Sequence, residues 1–178
     1  ELEVHAVCTD YTTDFAVPDP RDRIAARRLG FFPGSTIGNF EPEAATEFLA
    51  AAARTLGRTG ATVIGTDLQK DKEILEATYD DAAGVTAAFN LHLLERLNQE
   101  LGGTFDLSLF RHVALYIGAD ARIEMHNESL AEQGVKVASE RFTFGEGERV
   151  DTENSHKYTI EGFRALDASA GFGAKQTW

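Results

Sequence analysis

The stretch Gly34-Ser35-Thr36-Ile37-Gly38-Asn39 concentrates residue types that let a backbone approach a small ligand. Two glycines and two hydroxyls directly behind an apolar run permit a tight turn and close approach. Asn39 carries an amide donor and a carbonyl acceptor on one side chain, which suits the amine and carboxylate of a zwitterion. A plain strand-to-helix turn, with Asn39 as a local cap, accounts for the same residues equally well. The stretch is not a phosphate loop, because the Gly-x-x-x-x-Gly-Lys-Ser/Thr spacing is absent.

Other chemistries find less support. His5, His92, His112, His126 and His156 are dispersed, without paired histidine or cysteine spacings, so no metal site is expected. No Gly-x-Ser-x-Gly elbow marks a serine hydrolase. Cys8, the one cysteine, stands in the apolar stretch His5-Ala6-Val7-Cys8 and reads as a small core residue. A lone cysteine forms no internal disulfide and fits a reduced cytoplasm. Asp80-Asp81, close before Gly84, read as caps of a helix start rather than a paired-carboxylate site.

The elements that must position these residues follow from periodicity. Glu3 to Cys8 alternates weakly and predicts a strand ending at Thr9-Asp10. Residues Thr12 to Arg27, with Pro18, Asp19 and Pro20, predict a surface connection. Leu29 to Phe32 predicts a second strand. Pro42 suits a first helical turn, and Phe48, Leu49, Ala52 and Leu56 give that helix an apolar side. Ala61 to Gly65 predicts a third strand. A long amphipathic helix runs from about Gly84 to Gly102-Gly103. Short runs at 112–116, 121–126, 134–137 and 141–144 then predict an antiparallel meander. The expected class is therefore α/β: part of an open parallel sheet, then a helical and antiparallel segment. Ligands of such sheets bind beyond the carboxyl ends of the strands, which places Asp10, Gly34 to Asn39 and Asp67 on one rim.

The chain has 178 residues, of which 43% are hydrophobic and 26% charged, as expected of a globular protein. Seventeen basic and 29 acidic side chains give a net charge of −12, which repels nucleic-acid backbones. No apolar run is long enough to span a bilayer, and Glu1-Leu2-Glu3-Val4 does not resemble a signal peptide. A small-molecule partner is expected, with no nucleic acid and no membrane; the sequence does not fix an oligomeric state.

Phe31-Phe32-Pro33-Gly34-Ser35-Thr36-Ile37-Gly38-Asn39-Phe40 resembles the signature of the histidine N-alpha-methyltransferases of ergothioneine biosynthesis. The resemblance continues through Gly65 to Asp71, Ala77 to Asp81, Gly84 to Asn90, Arg122 to His126 and Thr152 to Tyr158. Six blocks in the family's order cover nearly the whole chain. The resemblance implies a Rossmann-like methyltransferase domain, of which residues 1–70 are the C-terminal part, and a substrate-binding segment at 71–178. It implies S-adenosylmethionine as co-substrate without a metal, and successive methylation of the histidine α-amine to trimethylhistidine.

Site residues carry over by position. Gly34 and Asn39 look like the holders of the α-amine, with Asn39 also reaching the carboxylate. Tyr79 looks like the carboxylate-binding tyrosine, and Thr86 like a supporting hydroxyl. Glu153 and Ser155 look like the readers of the imidazole, with Met125 beside the ring. Asp10 and Tyr11 look like the acidic–aromatic pair near the donor's adenine. Each also has a plain reading: Glu153 as a surface acid, Met125 as core beside Ile123, and Tyr79 as a half-buried tyrosine. No residue stands out as a general base.

The chain departs from the family pattern where no glycine-rich donor loop or upstream pocket tyrosines precede Asp10. Gly171-Phe172 to Trp178 looks like the entry to a final strand pair. The expectation is therefore a truncated chain, inactive alone. Two alternatives keep a place: a non-catalytic amino-acid-binding module, and the same chemistry on another amino acid such as tryptophan.

Overall fold

In a computed structural model, residues 3–13, 16–19 and 25–178 are described, and they divide into two compact units. The first comprises residues 1–68 and 158–178, the second residues 69–157. The closing stretch 158–178, expected with the substrate-binding segment, thus clusters with the first unit. Asp14, Phe15 and residues 20–24, part of the expected surface connection, lie outside the described residues.

In the first unit, β1 (Leu29–Phe32) pairs in parallel with β2 (Ala61–Ile64), Phe31 opposite Val63. Between them runs α1 (Pro42–Leu56), with Pro42 in its first turn and Gly57 (φ +73°) closing it in a conformation that side chains rarely adopt. Its apolar stripe buries Ala45 and Leu49 with Ile37. Full burial of a side chain such as Ile37 or Leu49 contributes about 1.5–3 kcal/mol over exposure. Helix α4 (Ile160–Ser169) completes this core through Phe163, Leu166 and Ala170. Its N-cap Thr159 accepts a hydrogen bond from the Gly162 amide at 2.9 Å.

Three expectations fail in this unit. Residues 3–8 join no sheet among the described residues and are exposed, because a weakly alternating run is a strand only when a neighbour satisfies its backbone. Cys8 consequently lies exposed instead of in a core. Residues 171–178 form no strand; they follow α4 as irregular chain.

In the second unit, α2 (Lys72–Tyr79) and α3 (Val85–Leu101) precede β3 (Phe110–Ile117), β4 (Arg122–Ser129) and β7 (Arg149–His156). These strands form an antiparallel sheet in the order β3-β4-β7. A separate hairpin, β5 (Gln133–Val137) with β6 (Glu140–Phe144), lies between β4 and β7 in sequence. Two apolar clusters hold the unit together: Leu94 with Phe105, Phe110, Val135 and Phe144, and Leu75 with Ile123 and Met125. The β4–β7 register shifts between Met125 and His126: Met125 pairs with Glu153, His126 with Asp151. Thr152 is therefore the extra residue of a bulge, and its hydroxyl donates to Met125 O at 2.8 Å and Asn90 Oδ1 at 2.6 Å.

The meander was expected, but β7 was not, and neither were α2 and α4. Parallel and antiparallel sheets with covering helices give the α/β class in its broad form.

Candidate functional site

In the first unit, β1 leads directly into the glycine turn. Gly34 (φ +76°) and Ser35 (φ +57°) are both left-handed, a conformation that costs a serine energy and is free to glycine. The strain at Ser35 is held by three bonds. Its carbonyl accepts from the Gly38 amide at 2.8 Å, the Asp67 amide donates to its Oγ at 2.8 Å, and the Thr36 hydroxyl donates to Pro33 O at 3.2 Å. A 3₁₀ turn, Thr36–Asn39, follows, with Ile37 fully buried beneath it and Asn39 exposed.

Gly65 lies so close to this turn that a Cβ would stand 3.2 Å from the Gly34 nitrogen. The carboxyl ends of β1 and β2 therefore meet, and Gly34 to Asn39 and Asp67 share the rim expected of them. Tyr11 approaches the same end of β1, its ring edge-on to Phe32 and Phe48 at 5.8 and 6.0 Å. It is half exposed over an apolar recess of about 380 Å³ that Phe32, Leu49 and Ile64 also line. Asp10 accepts from the Thr12 hydroxyl at 2.6 Å and amide at 2.9 Å, and these bonds, the hydroxyl's first, hold its carboxyl below the usual range.

In the second unit, Tyr79, Met125, Glu153 and Ser155 come together on one face of the β3-β4-β7 sheet. Register pairs Ile123 with Ser155 and Met125 with Glu153, so all four strand positions share that face. Met125 is buried with Leu75 and Tyr79, and the Tyr79 hydroxyl lies 3.0 Å from Ser155 Oγ. Glu153 borders a cleft of about 180 Å³ against the α3 residues Phe89, Asn90, His92 and Arg96.

A buried network braces this face. The Asn90 side-chain amide donates to His112 Nδ1 at 2.9 Å and to His126 O at 3.0 Å. His112 Nε2 then donates to Tyr79 O at 2.7 Å, fixing the end of α2 that carries the tyrosine. Thr86 stands apart from the cluster's bonds: its amide donates to Asp81 Oδ1 at 2.8 Å, as Val85 does to Oδ2 at 3.1 Å. Asp81 thus caps α3, and bonds from Thr86 first, then Val85, lower its pKa to about 2.

Sequence reasoning missed Lys157. Only 2% exposed, it directs Nζ at the Tyr79 hydroxyl (2.6 Å) and Ser155 Oγ (2.8 Å), with the ammonium 4.5 Å from the tyrosine ring centre. The period-2 alternation Glu153, Ser155, Lys157 was the available signal. Among the described residues no group of His, Cys, Asp and Glu is arranged to hold a metal ion, and no helix is long and apolar enough to cross a membrane.

Residues 1–178 match the family described as histidine-specific methyltransferase, SAM-dependent. The histidine N-alpha-methyltransferase of Mycolicibacterium smegmatis is 41% identical over 99% of this chain and 54% of its own length. Its namesake from Mycobacterium tuberculosis is 38% identical over the same shares. Ergothioneine biosynthesis protein 1 of Neurospora crassa is 29% identical over 82% of this chain and 16% of its own. The chain belongs to the histidine-specific, SAM-dependent methyltransferase family. It spans about half the length of the bacterial relatives it matches.

Proposed function

We propose that this chain serves in S-adenosylmethionine-dependent methylation of the α-amine of L-histidine, toward trimethylhistidine. The observation that carries the reading is the convergence of Tyr79, Met125, Glu153 and Ser155 on one sheet face, within a chain matched to this family along its length. Methyl transfer from a sulfonium to an amine is an in-line displacement for which the donor supplies the electrophile. The protein's part is orientation, which in well-aligned systems lowers a barrier by up to roughly 7–11 kcal/mol.

Residue by residue, the turn at Gly34 and the Asn39 amide hold the α-amine with its lone pair available. The Tyr79 hydroxyl donates to the carboxylate. Glu153 accepts from one imidazole N–H and Ser155 Oγ, its own hydrogen directed to Tyr79, accepts from the other N–H of the protonated ring, while Met125 packs beside the ring. An apolar amino acid would offer Glu153 no N–H to accept from, which is a basis for rejection. Asp10 and Tyr11 take the donor's adenine, where Tyr11 presents an aromatic surface over the 380 Å³ recess. The sheet of the first unit is read as part of a Rossmann-like domain, and residues 69–157 as substrate-binding.

Calorimetric titration of histidine into the full-length protein, with and without S-adenosylhomocysteine, tests the reading. Binding that weakens tenfold or more in Glu153→Ala supports it. Absence of histidine binding under both conditions removes histidine as the substrate.

A further inference from the structure

The mechanism above leaves one buried cation unused. Lys157 sits just past the end of β7, two residues beyond Ser155, and its Nζ reaches both hydroxyls of the Tyr79–Ser155 pair. We propose that Lys157 is a positioning and specificity-determining residue, which turns this hydroxyl pair into a donor for the carboxylate of the amino-acid substrate. The proposal rests on the amino-acid reading of the site.

Hydrogen counting supports it. An ammonium only donates, so Lys157 occupies a lone pair on Tyr79 Oη and another on Ser155 Oγ. The two hydroxyls are 3.0 Å apart, and one of their hydrogens lies between them. One hydroxyl hydrogen remains for a third acceptor. The trio therefore offers one donor hydrogen, polarised by the adjacent ammonium. Charge-assisted bonds to an anion are about twice as strong as neutral ones, and burial strengthens them further. Tyr79 is half exposed while Lys157 is not, so the charge acts through the tyrosine and does not meet solvent directly.

The ligand contrast that isolates this role is L-histidine against L-histidinol, which keeps the amine and ring and replaces the carboxylate by a hydroxymethyl group. Both are titrated into full-length protein saturated with S-adenosylhomocysteine, in the wild type and in Lys157→Met. The expected result is a wild-type preference for histidine of tenfold or more that collapses to threefold or less in the variant. A structural role alone would weaken both ligands equally, so an unchanged preference overturns the proposal. Lys157→Gln, which retains a donor for the hydroxyls without the charge, gives the same comparison if the Met variant does not fold. Wild-type protein that binds neither ligand overturns the substrate reading, and this proposal with it. Wild-type protein that binds histidine but shows no preference overturns the proposal alone.

Discussion

Tyr79 Oη lies 3.0 Å from Ser155 Oγ, tying the last residue of α2 to the end of β7. The tyrosine ring packs with Leu75, Ile123 and Met125, so its orientation is set by apolar burial and its hydroxyl by polar bonds. The two contributions are separable. Tyr79→Phe keeps the packing and removes the hydroxyl. A hydrogen bond to a charged group is worth about 1.5–3 kcal/mol, so histidine affinity should fall roughly 10- to 100-fold by calorimetry. The melting temperature should fall as well, because buried Lys157 and Ser155 each lose a partner.

Glu153 should govern the choice of ring. In Glu153→Gln the charge that demands an N–H donor is gone while the side-chain size is kept. The ratio of kcat/KM for histidine over tryptophan in the full-length enzyme is expected to fall tenfold or more. An unchanged ratio would remove Glu153 from ring recognition.

Asn90 is a stability prediction. Its side chain links His112, His126 O and the Thr152 hydroxyl within a buried network. Truncation to alanine leaves several buried polar groups without partners, each costing about 1–3 kcal/mol. Urea denaturation should show a loss of roughly 2–4 kcal/mol in Asn90→Ala, beyond any effect on ligand binding.

Asp81 makes α3 sensitive to acid. Its pKa is held at about 2 in the folded chain against an ordinary 3.8. A depressed carboxylate contributes stability that is fully present above 3.8 and is lost as pH falls through about 2. The difference in melting temperature between wild type and Asp81→Asn should therefore shrink as pH drops from 4 to 2. A constant difference across that range would mean that the cap is not carried by the carboxylate.

How legible these features were in the sequence depended on whether local pattern or pairing creates them. The apolar stripe of α1, with Pro42 before it and Gly57 behind, and the long repeat of α3 are local signals that the structure reproduces. The hairpins around 112–144 were visible for the same reason. Strand β7 was not, because Arg149-Val150-Asp151-Thr152-Glu153-Asn154-Ser155-His156 carries one apolar residue and is a strand only through β4. The reverse error at 3–8 arose from weak alternation without a partner. Helix α2 is only eight residues long, too short for periodicity to stand out. In the site, the residues named from family resemblance included four that meet on one face, whereas the bracing Asn90–His112 network depends on tertiary placement that spacing does not encode; Lys157 follows Glu153 and Ser155 at period 2, but only the fold brings its ammonium to Tyr79.

The bulge at Thr152 has a consequence for what substitutions this strand tolerates. In an unbroken strand, side chains three positions apart point to opposite faces. Val150 and Glu153 are three apart, yet Val150 packs with the Leu94–Phe110 cluster and Glu153 faces the cleft beside α3, on the same side of the sheet. The extra residue resets the phase of the strand and lets one segment serve both stability and recognition. Deleting Thr152 would force a choice between them: either the valine leaves the core or the glutamate turns away. The length of this strand is therefore constrained as well as the identity of the side chains it carries.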